Sequence, residues 1–238
     1  MYTFDSRIRY SEIDYQGKLS MASLLNYFQD CSTFHSEDIG LGVEYLSELK
    51  LAWVMSAWQI VVNRYPKLGE KVTIGTYPYE FKRFLGMRNF ILYGENGEVL
   101  AKANSIWTLL NIETGVPTLP TEDMIAGYGL EEKLDMDYAP RKIAVPEGGE
   151  KNQSITVELQ HLDTNHHVNN GQYVNMALGF LPEDFEIAQL RAEYKKQAFL
   201  GDELHPYVVN ADNKYIIALT DAEDNPYVIV ELLKKENG

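Results

Sequence analysis

Apolar positions recur at helical spacing in one stretch of the chain and at strand spacing in the runs that follow it. Over residues 21 to about 37, Leu24, Phe28, Cys31 and His35 share one face and Ser20 offers an N-capping hydroxyl, so a long amphipathic helix is predicted. Four runs rich in β-branched and aromatic residues come next, at 51–65, 71–81, 83–94 and 99–112. Asn96-Gly97 between the last two is a hairpin signal, because both residues accept the left-handed backbone of a tight turn. The plan then recurs in shorter form. A helix is predicted near 171–178 and strands near 187–199, 203–210, 215–220 and 227–233, with Asp212-Asn213 and Asp224-Asn225-Pro226 at the turns.

The recurrence extends to individual residues. Ile13-Asp14-Tyr15-Gln16-Gly17-Lys18-Leu19-Ser20 aligns with Leu162-Asp163-Thr164-Asn165-His166-His167-Val168-Asn169 at a constant spacing of 149 positions, and each stretch leads into a helix. Leu68-Gly69-Glu70 aligns with Leu200-Gly201-Asp202 at a spacing of 132. A helix followed by a four-strand antiparallel meander, made twice, packs most economically as a sheet curled around its helix. The expected fold class is α+β, with two such copies in tandem. Residues 1–128 are expected to form the first domain, 129–154 a connecting segment, and 155–238 the second domain.

Composition narrows the partners. The chain has 238 residues, 45% hydrophobic and 24% charged, which gives room for a real core and no signature of disorder. Lys and Arg total 21 against 35 Asp and Glu, a formal charge of −14. A field of that sign repels polyanions, so neither nucleic acid nor an anionic membrane surface is expected as a partner. The single cysteine, Cys31, has no partner for an intrachain disulfide, and Asp5, Arg7 and Arg9 interrupt the start of the chain where an export signal needs an apolar run. The longest mostly apolar run, 51–62, is too short to span a bilayer. A cytoplasmic protein without membrane insertion is expected.

Candidate chemistry concentrates in residues 161–170, His-Leu-Asp-Thr-Asn-His-His-Val-Asn-Asn, which hold three of the five histidines. Taken as extended backbone, this run sends Asp163, Asn165 and His167 to one side and Leu162, Thr164 and His166 to the other. Asn169 and Asn170 then open a helix, whose free N–H groups favour the negative charge a carbonyl oxygen acquires under attack. In the first copy the matching residues are Asp14, Gln16 and Lys18, so the aspartate persists and the imidazole does not. General-base chemistry is therefore expected of the second copy alone, leaving the first to hold substrate. A metal site from His161, Asp163 and His166 or His167 is disfavoured, because adjacent histidines on opposite sides of an extended segment do not converge on one ion. No metal and no cofactor are expected.

Other motifs flank this run: Leu24-Leu25-Asn26-Tyr27-Phe28-Gln29-Asp30, Leu51-Ala52-Trp53-Val54, Tyr65-Pro66-Lys67-Leu68-Gly69-Glu70, Ser105-Ile106-Trp107-Thr108 and Glu193-Tyr194-Lys195-Lys196. Together with Asp163-x-Asn165-x-His167-Val168-Asn169-Asn170 and Tyr173, they resemble the acyl-acyl-carrier-protein thioesterases of plants and bacteria, a double hotdog family that releases free fatty acid from its carrier. The resemblance runs over nearly the whole chain. It implies a tandem hotdog, an acyl carrier protein bearing a fatty acyl chain as partner, and a catalytic set of Asp163, Asn165 and His167. Plant-type members have an acidic residue and a cysteine shortly after the Glu-Tyr-basic-basic motif, where this chain has Gln197 and Ala198. The departure implies direct attack by water, with His167 as base, Asn165 orienting it, Asp163 positioning or polarising the acyl carbonyl, and Gln197 placing the water. Two hotdogs per chain supply their own pairing, so a monomer or a homodimer is expected.

Several of these residues also have plain structural readings. Asn169 and Asn170 serve as helix caps on one reading and bind substrate on the other. Trp53 and Trp107, with Trp58, fill the core or line the acyl chain. Lys82, Arg83, Arg88, Lys195 and Lys196 interrupt an acidic chain, and a carrier that is itself acidic makes them candidates for its docking surface. Cys31 is expected to be buried packing. Three other functions compete with the leading one. They are a hotdog acyl-coenzyme A thioesterase, an enoyl thioester hydratase, whose Asp-x-Asn-x-x-His run is one residue longer than the one here, and a noncatalytic acyl-binding module.

Overall fold

The computed structural model describes residues 1–163 and 165–236. Thr164, assigned above to the outward side of its run, and the last two residues of the second predicted domain lie outside the described residues. The chain divides into two compact units, Met1–Ser56 with Ile60–Tyr138, and Ala57–Gln59 with Ala139–Gly238.

In the first unit the elements are β1 (Tyr2–Arg7), α1 (Met21–Asp38), α2 (Val43–Glu48), β2 (Leu51–Val62), β3 (Lys71–Lys82), β4 (Leu85–Gly94), β5 (Val99–Asn111) and α3 (Glu122–Tyr128). Its strands lie in the order β1-β3-β4-β5-β2, and the registered pairs are antiparallel. Ser20 starts α1 by accepting the Ser23 N–H at 3.1 Å, the predicted cap. The apolar stripe of α1 then goes down on the sheet: Phe28 meets Phe90 at 5.3 Å between ring centroids, and the Cys31 thiol lies 3.6 Å from the Ile74 carbonyl oxygen. Gly97, at φ +77°, takes the left-handed place in the β4–β5 turn. Strand β1 went unassigned in the sequence, although it alternates half-buried and exposed residues along β3.

The second unit contains β6 (Glu150–Lys151), β7 (Ile155–Thr156), α4 (Asn170–Leu178), β8 (Ile187–Tyr194), β9 (Glu203–Ala211), β10 (Lys214–Thr220) and β11 (Pro226–Lys234). Its order is β8-β11-β10-β9-β6, with β7 pairing β9. Helix α4 buries Tyr173, Val174 and Ala177. Each unit is thus an antiparallel sheet with a helix laid on it, and the α+β double hotdog is what the chain forms.

Two differences from the predicted elements bear on the site. The strands predicted over 51–65 and 187–199 leave their ladders early, at Val62 and Tyr194, where two successive N–H groups turn to a single carbonyl of a neighbouring strand: Asn63 and Arg64 to Leu100 on β5, and Lys195 and Lys196 to Tyr227 on β11. The stretch between copies is also more ordered than a connector. Thr121 caps α3 by accepting the Met124 N–H, and Asn89 Oδ1 accepts from the Leu134 N–H at 3.1 Å and the Tyr138 hydroxyl at 2.9 Å. Further along, Ile143 joins the core of Val209, Ile216, Ala218 and Ile229, and its N–H donates to the buried Glu193 carboxylate at 2.9 Å.

Candidate active site

The run that carries the candidate catalytic groups is a closed loop. Leu162 and Val168 form an antiparallel bridge, and the Asp163 N–H donates to the His167 carbonyl at 2.8 Å. Asp163 Oδ1 holds the interior, accepting the Asn165 N–H at 2.8 Å and the His167 N–H at 3.3 Å. His166 takes the left-handed backbone, φ +61°. The expectation of an extended segment with alternating sides is therefore corrected: a carboxylate that gathers two following N–H groups turns the chain, and alternation does not apply within a turn.

The first copy builds the same loop from different side chains. Ile13 and Leu19 form the bridge, the Asp14 N–H donates to the Lys18 carbonyl at 2.8 Å, and Asp14 Oδ1 accepts from the Gln16 and Lys18 N–H groups at 2.9 and 3.1 Å. Gly17, φ +75°, stands where His166 stands. The surroundings match as well. Val168 donates to the Ala198 carbonyl at 3.0 Å and Leu19 to the Pro66 carbonyl at 2.8 Å, while Gly201 and Gly69 donate to Val157 and Ile8 at 2.9 Å each. Asp202 accepts the Phe199 N–H at 2.9 Å as Glu70 accepts the Lys67 N–H at 2.8 Å. Lys18 occupies the place of His167.

His167 is half-buried, with its ring edge-on to Phe199 at 4.9 Å between centroids and 78° between planes. Asn165 and Gln197 are exposed. Ala198 is fully buried; its N–H donates to the Tyr173 hydroxyl oxygen at 2.8 Å, so the position where plant-type members carry cysteine ties α4 to the loop. Asn169 is the N-cap of α4: its side chain accepts the Gly171 N–H at 2.8 Å, and its carbonyl accepts from Gln172 and Tyr173. Among the described residues that leaves the Asn170 N–H as the remaining donor of the first turn. Tyr194 donates to the Asn170 carbonyl at 3.0 Å. His161 is spent on the turn before the loop, where its Nδ1 accepts the Glu158 N–H at 3.0 Å.

Other candidate residues lie elsewhere in the two units. Lys195 pairs with the buried Glu193; Lys196 pairs with Asp221, whose carboxylate holds its ammonium above the usual lysine range, and lies 4.2 Å from the Tyr227 ring centre. Lys82 and Arg83 are exposed at the β3–β4 turn. Arg88 is corrected: it is only 7% exposed, donating from Nη1 to His35 Nδ1 at 2.9 Å and to Thr76 Oγ1 at 3.3 Å, so it presents no docking surface. Trp107 donates to Ser105 Oγ at 2.8 Å, and Trp53 packs against Phe81 at 5.9 Å. Cys31 is buried, and desolvation pushes its thiol up to about 12. Phe199 and Tyr194 went unassigned as site residues; Tyr194 closes β8, and Phe199 lies in the stretch that follows it, which the Val168 N–H to Ala198 carbonyl bond ties to the loop.

No group of metal-binding side chains occurs among the described residues, and no helix among them is long and apolar enough to cross a membrane. A family model described as acyl-ACP thioesterase N-terminal domain matches residues 1–128, and one described as acyl-ACP thioesterase C-terminal domain matches residues 146–226. A chloroplastic acyl-[acyl-carrier-protein] hydrolase of Cuphea viscosissima is 29% identical over 97% of this chain, which spans 58% of that protein's length. Among solved structures, an acyl-ACP thioesterase from Bacteroides thetaiotaomicron superposes with a TM-score of 0.89 at 23% identity, covering 98% of this chain and 97% of that one. A 12:0-ACP thioesterase from Umbellularia californica gives 0.86 at 20%, covering 100% and 98%. At those identities the superpositions show a shared fold.

Proposed function

The chain belongs to the acyl-ACP thioesterase family, and from that membership we propose that it hydrolyses the thioester of a fatty acyl-acyl carrier protein to free fatty acid and carrier. His167 takes a proton from water as the water oxygen bonds to the acyl carbon; the carbon–sulfur bond then breaks, and the proton returns to the departing carrier thiolate. Asn165 orients the imidazole or the water, and Gln197, which is no base, assists in placing the water. Asp163 is assigned a positioning role, holding the loop that carries His167. The Asn170 N–H at the start of α4 favours the charge that develops on the carbonyl oxygen. Because the Cys31 thiol is buried and pushed up to about 12, the reading contains no covalent acyl-enzyme.

The observation that carries this reading is the pair of matched loops. Both copies have the same backbone bonds and the same aspartate, and they differ where one offers Lys18 and the other His167. Catalysis is assigned to the second unit and acyl chain holding to the first, through Trp53 and Trp107. The exposed Lys82 and Arg83 supply the docking charge for an acidic carrier, with Lys195 and Lys196 in support. We place the reaction in the cytoplasm, which the single buried Cys31 fits, carried out by a monomer or a homodimer.

The test is hydrolysis of a panel of acyl chains presented on carrier protein and on coenzyme A, by wild type and His167→Ala. Free acid released with preference for the carrier, and lost in the variant by about a hundredfold or more, is the expected result. Preference for coenzyme A would change the substrate, and a hydrated thioester or no product at all would overturn the hydrolase.

A further inference from the structure

The first unit contains a buried cation, Arg88, whose hydrogen-bond partners among the described residues, His35 and Thr76, carry no negative charge. Arg88 lies on β4 on the same face as Gly86, Phe90 and Leu92, pointing among residues of α1, β3 and α3. Its Nη1 donates to His35 Nδ1 and Thr76 Oγ1, and its guanidinium lies 5.6 Å from the centre of the Tyr128 ring. Among the described residues, Cys31 and Tyr128 act on it electrostatically together with His35, and none of them is a carboxylate. Asp38, on the same helix as His35, instead accepts from the Tyr2 hydroxyl at 2.7 Å. Burial pulls the guanidinium down to about 10, still charged at neutral pH. An apolar residue of similar volume would cost the fold less than an unpaired buried cation, so its presence points to a task other than folding.

A second donor lies nearby. Trp53 Nε1 is buried with no hydrogen-bond partner among the described residues. The Trp53 ring covers Gly86, where a Cβ would stand 3.2 Å from it and 3.1 Å from Phe81, two residues along the same face from Arg88. Phe81 and Tyr128, 5.8 Å apart, join the Trp53 ring to the Arg88 guanidinium. The result is an aromatic cluster, packed on Leu41, Leu46, Leu109 and Met124, with two hydrogen-bond donors set beside it.

We propose that Arg88 and Trp53 form a recognition site for an acceptor oxygen carried on an apolar chain, so that the enzyme selects acyl chains bearing a carbonyl or carboxylate oxygen beyond the thioester. The aromatic side chains take the methylene chain and the guanidinium takes the oxygen. This specificity rests on the hydrolase reading above, and the test separates the two. Wild type, Arg88→Lys and Arg88→Met are given matched carrier-linked chains of equal length, either unsubstituted, oxo-substituted or ending in a carboxyl group. The ratio of kcat/KM for the oxygen-bearing chain to that for the plain one is read within each enzyme, so a general loss of folded protein cancels. The ratio is expected to favour the oxygen-bearing chain by about tenfold or more in wild type, to persist in part in Arg88→Lys, and to fall by at least about tenfold in Arg88→Met. The oxo and carboxyl arms tell which oxygen is taken. A wild-type ratio at or below one, or the same ratio in all three enzymes, overturns the proposal.

A second arm uses no turnover: calorimetric titration of wild type and Arg88→Met with octanoate and with octan-1-ol. Wild type is expected to bind octanoate about tenfold or more tighter than the alcohol, and the variant to lose that difference. If no thioester is hydrolysed and this difference holds, the reaction fails and the oxygen site stands. If thioesters are hydrolysed and the difference is absent, the site fails and the reaction stands.

Discussion

Replacing Asp163 by Asn and by Ala separates the two roles an aspartate can have in this loop, and Asp14 provides a matched control. Asp163 Oδ1 accepts N–H bonds at 2.8 and 3.3 Å, and Asp14 Oδ1 does so at 2.9 and 3.1 Å. A hydrogen bond to a charged acceptor contributes about 1.5–3 kcal/mol, and a long bond in a half-exposed loop falls at or below the lower end. Alanine at either position therefore costs about 3 kcal/mol of loop closure, while asparagine, whose amide oxygen makes the same bonds at about half the strength, costs about 1.5 kcal/mol. Urea unfolding of the four variants is expected to show these losses at both positions, equal to within about 0.5 kcal/mol. If the aspartate acts on catalysis only by holding His167, kcat/KM falls about tenfold in Asp163→Asn and about a hundredfold or more in Asp163→Ala. An Asp163→Asn enzyme as inactive as Asp163→Ala, with both loops equally destabilised, would refute this reasoning and place the carboxylate charge at the reacting carbonyl.

Two further outcomes follow from other parts of the fold. Burial, with Arg88 beside it, pulls His35 from 6.5 down to about 4. The unfolded chain therefore takes up this proton first: the contribution is full above pH 6.5 and is lost as pH falls toward 4, by about 3 kcal/mol in all. Urea unfolding across that window should fall more steeply in wild type than in His35→Gln, which keeps an acceptor for Arg88; parallel curves would contradict the assignment. Reversing charge with Lys82→Glu and Arg83→Glu should lower kcat/KM for the carrier-linked substrate by about tenfold or more and spare a short thioester mimic, most clearly at low salt. Equal effects on both substrates would remove the docking role.

Much of the architecture was legible because it rests on periodicity. The α1 stripe, the eight principal strands and the Asn96-Gly97 turn follow from alternation and local turn chemistry, and the two spacings of the repeat place equivalent residues in equivalent hydrogen bonds. What failed to show depends on contacts distant in sequence. Strands β2 and β8 end where two successive N–H groups converge on one carbonyl, Leu100 of β5 and Tyr227 of β11, and nothing in the composition of 63–65 or 195–199 marks that convergence. The turn at Asp163 was readable in principle, since an aspartate followed by polar residues and a helix cap is a turn signal that was set aside for extended alternation. Arg88 was read by its charge as a surface residue. Its position, two residues from Gly86 and from Phe90 on a strand of period two, already put it on the buried face.

The matched loops have a consequence for recognising this kind of protein from sequence. Asp14 and Asp163 do the same backbone work in a copy that retains an imidazole and in one that does not. A search pattern anchored on the aspartate and on the equivalent glycines Gly69 and Gly201 therefore detects the architecture in both halves and is indifferent to activity. On the proposed function, the residue four places beyond the aspartate, Lys18 in one copy and His167 in the other, is the difference that assigns the reaction to the second half. Under that assignment, two stretches with the same scaffolding signals would differ in chemistry through a side chain whose backbone N–H, and not its side-chain identity, the scaffold uses.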